Sequence, residues 1–145
     1  MRRIVVMAGM MALAACSRTP DPAVSDAWVR LAAVPGRPAA AYFTLHGGDA
    51  AVKLNAVEAK GVQRAEMHQS RMTGNGMMAM DSVGEIVVPA HGKVTFAPAG
   101  YHVMLFGVPA TVKPGGTLPL TLRFDDGRAT TADARVVSAG EGAPG

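Results

Sequence analysis

Two histidines and a group of methionines are the residues whose types and spacing point to chemistry in this chain. Ten methionines are present, and six lie beyond the first fifteen residues: Met67, Met72, Met77, Met78, Met80 and Met104. His68 and His102 fall in the same stretch, with His91 between them and His46 outside it. In an extended strand, residues i and i+2 point the same way. His102 and Met104 therefore project from one face, while Tyr101, Val103 and Leu105 take the other, core-facing side. The same rule groups Glu66 with His68 and Met78 with Met80.

Such a set would choose a soft metal. Thioethers are neutral, polarisable donors that favour Cu(I) over zinc, calcium or magnesium, and imidazole suits copper as well. A set of neutral ligands leaves a site charge of +1 with Cu(I) and +2 with Cu(II). Burial penalises the larger charge more, which favours the reduced ion. No thiolate is needed, in contrast to a blue-copper centre. The residues also admit a plainer reading. Methionine fills gaps in cores, and a methionine-rich patch can bind a protein partner by packing alone. On residue chemistry alone, both readings stand.

The elements that must position these residues read as strands. Candidate strands are 27–32, 39–46, 52–59, 65–72, 77–83, 85–88, 93–97, 102–107, 118–124 and 130–137, and several of them alternate apolar and polar residues. Gly and Pro turns separate them: Pro35-Gly36, Gly47-Gly48, Gly74-Asn75-Gly76, His91-Gly92, Pro98-Ala99-Gly100, Pro114-Gly115-Gly116 and Asp126-Gly127. Short strands at spacings near ten residues predict a single all-β domain, a sandwich or barrel, over residues 26–138. No window of this region shows a helical apolar stripe. Met67 lies opposite His68 and reads as core, as do Trp28 and Tyr42. His46 and His91 read as exposed turn residues. Glu66 can accept a hydrogen bond from a ligand imidazole, although a solvated strand face is its plainer fate.

The N-terminus carries a different signal. Met1-Arg2-Arg3 precedes an apolar run from Ile4 to Leu13, the length of a secretory core and too short to span a bilayer. Leu13-Ala14-Ala15-Cys16 resembles a bacterial lipobox, and an ordinary signal peptide with a chance cysteine is the alternative. The lipobox reading makes 1–15 a signal peptide and Cys16 the lipidated first residue. It makes 16–25 a flexible tether and the protein a membrane-anchored lipoprotein of the bacterial cell envelope facing the periplasm. The tail, 139–145, is expected to be disordered. Removing Arg2 and Arg3 leaves 12 basic against 11 acidic residues, which gives no electrostatic footprint for nucleic acid. Cys16 is the only cysteine, so no disulfide or cysteine nucleophile is available, as suits an oxidising compartment. No hydrolase elbow, zinc helix or phosphate loop is present, and no enzyme activity is expected.

The order of the candidate ligands is His68, eleven residues, Met80, twenty-one residues, His102, one residue, Met104. This resembles the signature of the periplasmic Cu(A) chaperone family, PCu(A)C, whose first interval is ten residues and whose other two match. The extra residue falls in the turn Thr73-Gly74-Asn75-Gly76. Alternatively Met78 or Met72 replaces Met80, and Met78 stands as an auxiliary donor. The resemblance extends to Ala27-Trp28-Val29-Arg30, Ala41-Tyr42-Phe43, Glu66-Met67-His68, Gly100 to Leu105, and Leu118 to Phe124 with Asp126-Gly127. It thus spans residues 26 to 137. It implies a cupredoxin-like Greek-key β-sandwich and a monomer that binds one Cu(I) through His68, Met80, His102 and Met104. It also implies delivery of that copper to a cytochrome c oxidase subunit or another copper chaperone. The competing expectations are a non-catalytic envelope lipoprotein that docks a partner through its methionines, and, less favoured, a copper enzyme.

Overall fold

The structure, a computed structural model, describes residues 21–145. Residues 1–20, with the signal-peptide and lipidation expectations attached to them, lie outside the described residues. Ten strands form: β1 (Ala23–Arg30), β2 (Ala39–His46), β3 (Val52–Ala59), β4 (Arg64–Met72), β5 (Met78–Ser82), β6 (Ile86–Val88), β7 (Lys93–Phe96), β8 (Tyr101–Phe106), β9 (Thr117–Phe124) and β10 (Ala129–Val137). No helix occurs among the described residues. All ten expected strands are present, and the all-β expectation holds.

Alternation builds the core. In β9, Leu118, Leu120, Leu122 and Phe124 are buried while Thr117 and Arg123 are exposed. Each fully buried aliphatic or aromatic side chain of this kind stabilises the fold by roughly 1.5–3 kcal/mol. The strands hydrogen-bond in the order β5-β4-β8-β7-β2-β1-β10-β9-β3-β6, with β8 also paired to β2. β1 runs parallel to β10 and β7 parallel to β8, and the other pairs are antiparallel. β3 and β4 touch although they lie near opposite ends of this order. The sheet therefore wraps around one core, in which Phe43 and Phe96 stack at 4.3 Å between ring centroids.

Residues 23–25, expected within a flexible tether, belong to the fold. Strand β1 starts at Ala23, so 23–25 are ordered in the sheet rather than flexible. Just before them, Asp21 pairs with Arg128 at 2.8 Å and the Pro22 carbonyl accepts a bond from Thr130 Oγ1 at 2.8 Å. The break in the sequence pattern has a physical cause. Asp26 sits at φ 53° in a β-bulge, where the register with β2 shifts between Ser25 and Trp28. The bulge interrupts the alternation and hides the first half of the strand. In the tail, Glu141 N–H donates to the Ser138 carbonyl at 3.2 Å, a turn with no strand.

Candidate metal centre

Three neighbouring strands position the candidate ligands. β4 is paired to β8 on one side and to β5 on the other. Val103 and Leu105 of β8 and Met67 of β4 are buried in the core. Their register partner relation, Met67 opposite Val103, fixes the parity of both strands. The intervening residues must then take the outer face. In consecutive rungs of that face, Glu66 lies opposite Met104, His68 opposite His102, and Ser70 opposite Met80. One rung further, Met72 lies opposite Met78. Residues separated by 34 positions in the chain, His68 and His102, thereby become direct neighbours with ring centroids 5.8 Å apart.

The two imidazoles are held in different ways. His102 is the only buried polar or charged residue among those described, at 6% exposure. Its Nδ1 lies 3.1 Å from the carbonyl oxygen of Gly100. A carbonyl can only accept, so Nδ1 carries the proton and Nε2 keeps its lone pair. His68 Nε2 lies 3.1 Å from Glu66 Oε2, and Glu66 is itself held by Arg64 Nε at 2.9 Å. The carboxylate accepts a hydrogen bond from Nε2–H, which leaves the lone pair of the neutral ring on Nδ1. That Nδ1 is buried and has no hydrogen-bond partner. An unsatisfied buried acceptor costs about 1–3 kcal/mol, and a metal ion would relieve it.

The methionines differ in setting. Met104 is half-buried and Met80 is 56% exposed. Met80, Met104 and His102 line one cavity of about 250 Å³, together with Arg30, Tyr42 and Ser70; Met78 and His68 are not in its wall. Met78 lies out along the hairpin, exposed. Arg30 and Tyr42 are contributions that sequence reading did not place at the site. Arg30 Nη2 donates to the Tyr42 hydroxyl at 3.0 Å, and its guanidinium sits 5.9 Å from the Trp28 ring centroid. The available signal was the i, i+2 relation of Trp28 and Arg30, which puts both on one face of β1. No group of three or more His, Cys, Asp or Glu side chains able to hold a metal ion by themselves occurs among the described residues. The cavity wall offers one imidazole and two thioethers, a set that suits Cu(I) rather than a hard cation.

His46 and His91 stand apart from this face. His46 ends β2 with its Nε2 2.9 Å from Ser25 Oγ, and His91 occupies a turn at φ 56° with Asp49 3.7 Å away.

The LpqE-like lipoprotein family profile matches residues 22–136. The chain belongs to this family. A protein designated lipoprotein Lxx21020, from Leifsonia xyli subsp. xyli, is 31% identical over 105 residues, which are 72% of this chain and 62% of that protein. The chain thus spans less than two thirds of that relative's length. Among solved structures, the copper-bound PCuAC domain from PmoF2 superposes with a TM-score of 0.66 at 21% identity, covering 83% of this chain and 96% of that domain. That likeness is one of fold. The Cu(I) form of DR1885 from Deinococcus radiodurans superposes with a TM-score of 0.60 at 32% identity, covering 88% of this chain and 85% of that one. Here the likeness extends to sequence as well as fold. The β fold of the LpqE-like chain is the cupredoxin-like fold of those domains.

Proposed function

We propose that this LpqE-like chain is a non-catalytic copper chaperone of the cell envelope. It holds one Cu(I) through His68, Met80, His102 and Met104 and passes it to a copper protein. A cytochrome c oxidase subunit or another copper chaperone is the proposed recipient. The observation that carries this reading is the shared outer face of β4, β5 and β8. On it His68 and His102 pair directly, with Met104 one rung away on one side and Met80 one rung away on the other. The partnerless Nδ1 of His68 supports it, as does the copper bound by the related PmoF2 and DR1885 proteins.

The chemistry follows from the donors. Two neutral imidazoles and two thioethers favour the +1 ion, and the fixed cation of Arg30 in the cavity wall adds to the penalty on a +2 ion. Transfer needs a ligand that can leave. His102 is anchored in the wall, while Met80 is exposed on the edge strand β5 and is the donor an incoming protein can replace. A donor from the recipient binds as the Met80 thioether departs. Copper remains +1 throughout, and no electron moves. Lipidation at Cys16 would hold the domain at the membrane as a periplasm-facing monomer, close to membrane-bound recipients.

The test is Cu(I) titration of the chain lacking residues 1–16 against a competing chelator, beside His102→Ala/Met104→Ala. One tight equivalent in the parent, lost in the double variant, is the expected result. No tight binding in the parent would end the chaperone reading.

A further inference from the structure

Among the described residues, six large hydrophobic side chains are strongly exposed: Val34, Met72, Met77, Met78, Met80 and Val87. Four of the six are methionines, and all four lie on the β4–β5 hairpin. Only Met80 is used by the site proposed above. The other three leave apolar surface in water with no partner in the fold.

Two of them are geometrically matched. Met72 and Met78 are direct register partners across β4 and β5, exposed by 64% and 53%. Opposed side chains of an antiparallel pair have Cβ atoms about 4.5–5.5 Å apart, within the reach of two flexible thioethers sharing one ion. The hairpin end fixes this pairing. Thr73 donates to the Met77 carbonyl through its N–H at 2.7 Å and its hydroxyl at 3.0 Å. Gly76 takes φ 74° to close the turn. On the opposite face, Arg71 Nε pairs with Asp81 Oδ2 at 2.5 Å and locks the strands in the same register. The Met72–Met78 rung lies on the same face as the Ser70–Met80 rung, displaced by two residues, or about 6.8 Å.

We propose that Met72 and Met78 form a second, weaker station for a soft monovalent d10 cation, Cu(I) or Ag(I), beside the His/Met centre and exposed to solvent. Two neutral thioethers without imidazole bind such an ion loosely and exchange it fast. An ion held there is one rung from Met80, so it can enter or leave the tighter centre by ligand exchange along the strand. Packing against a protein draws on the flexibility of the methionine side chain, whereas a metal station draws on its sulfur. Sulfur at every one of these exposed hairpin positions is what a soft metal requires.

The experiment uses the chain with 13C-methyl methionine and Ag(I), a redox-inert probe with the softness of Cu(I), followed by NMR. The methyl signals of Met80 and Met104 are expected to shift with the first equivalent. Those of Met72 and Met78 should shift together with the second, in fast exchange. Met72→Leu should abolish the shift of Met78, and the Met72 and Met78 shifts should survive in His102→Ala/Met104→Ala. Methyl signals of Met72 and Met78 that stay in place past the second equivalent would overturn the station and leave the patch as a protein-docking surface. Movement of Met72 and Met78 without Met80 and Met104 would instead sink the His/Met centre and leave the station standing.

Discussion

His68 and His102 face each other across β4 and β8 with ring centroids 5.8 Å apart, and each has one nitrogen committed to an acceptor. For His102 that acceptor is the Gly100 carbonyl; for His68 it is the Glu66 carboxylate. Both commitments leave one lone pair per ring. The pair of imidazoles is thereby set in tautomer and orientation before any ion arrives.

Glu66 is accordingly a positioning residue. Loss of a hydrogen-bond partner behind a ligand imidazole typically costs 10–100-fold in metal affinity. Glu66→Ala should weaken Cu(I) binding by about that factor, and Glu66→Gln, which still accepts a bond, should recover much of it. Competition titration with a coloured Cu(I) chelator measures both. Equal affinity for Glu66→Ala and the parent would remove Glu66 from the account.

The spacing of the chain left Met80 and Met78 as rival donors. Met80 lines the cavity with His102 and Met104, and Met78 does not. Met80→Leu should therefore lower the affinity of the tight site by about tenfold or more, equivalent to about 1.4 kcal/mol. Met78→Leu should leave it unchanged. The reverse order in the same titration would move the ligand to Met78.

Met67 adjoins His68 in the chain but packs into the core at 6% exposure. Truncation of a buried methionine leaves a cavity, and Met67→Ala should cost about 2–5 kcal/mol of stability. Urea unfolding of the metal-free protein reads this cost. Copper stoichiometry under folding conditions should stay at one tight equivalent, which separates packing from ligation.

The β9–β10 turn supplies a pH dependence. The Arg128 backbone N–H donates to Asp126 Oδ1 at 3.0 Å and Arg128 Nε to Oδ2 at 2.8 Å. These bonds, the backbone one first, hold the Asp126 carboxyl below its ordinary value of 3.8. A group depressed in the folded state stabilises above its unfolded value, and that contribution fades as pH falls through the folded one. Thermal melts from about pH 6 down to about pH 3 should thus decline less steeply for Asp126→Asn than for the parent. Identical acid limbs would show that the turn carries no linkage.

Much of this protein is legible in its sequence because strand structure is local. Alternation and Gly/Pro punctuation located all ten strands, mostly to within one or two residues, and the parity of β8 put His102 and Met104 on the face away from Val103 and Leu105. Resemblance to a spaced ligand motif then suggested the metal. Locality also set the limits. The bulge at Asp26 broke the pattern and concealed the start of β1, because a bulge is defined by the partner strand rather than by the chain that contains it. What only the tertiary structure decided is register between strands far apart in sequence. Opposition of His68 to His102 depends on β4 pairing with β8 across 34 residues, and the entry of Arg30 and Tyr42 into the cavity wall depends on β1 and β2. These are non-local pairings, settled when Met67, Val103 and Leu105 are buried together and a one-residue slip would turn that core face outward. Glu66 falls in the same class: its alternation with His68 is visible in the chain, but its 3.1 Å bond to the ring exists only once the strand is held flat against β8.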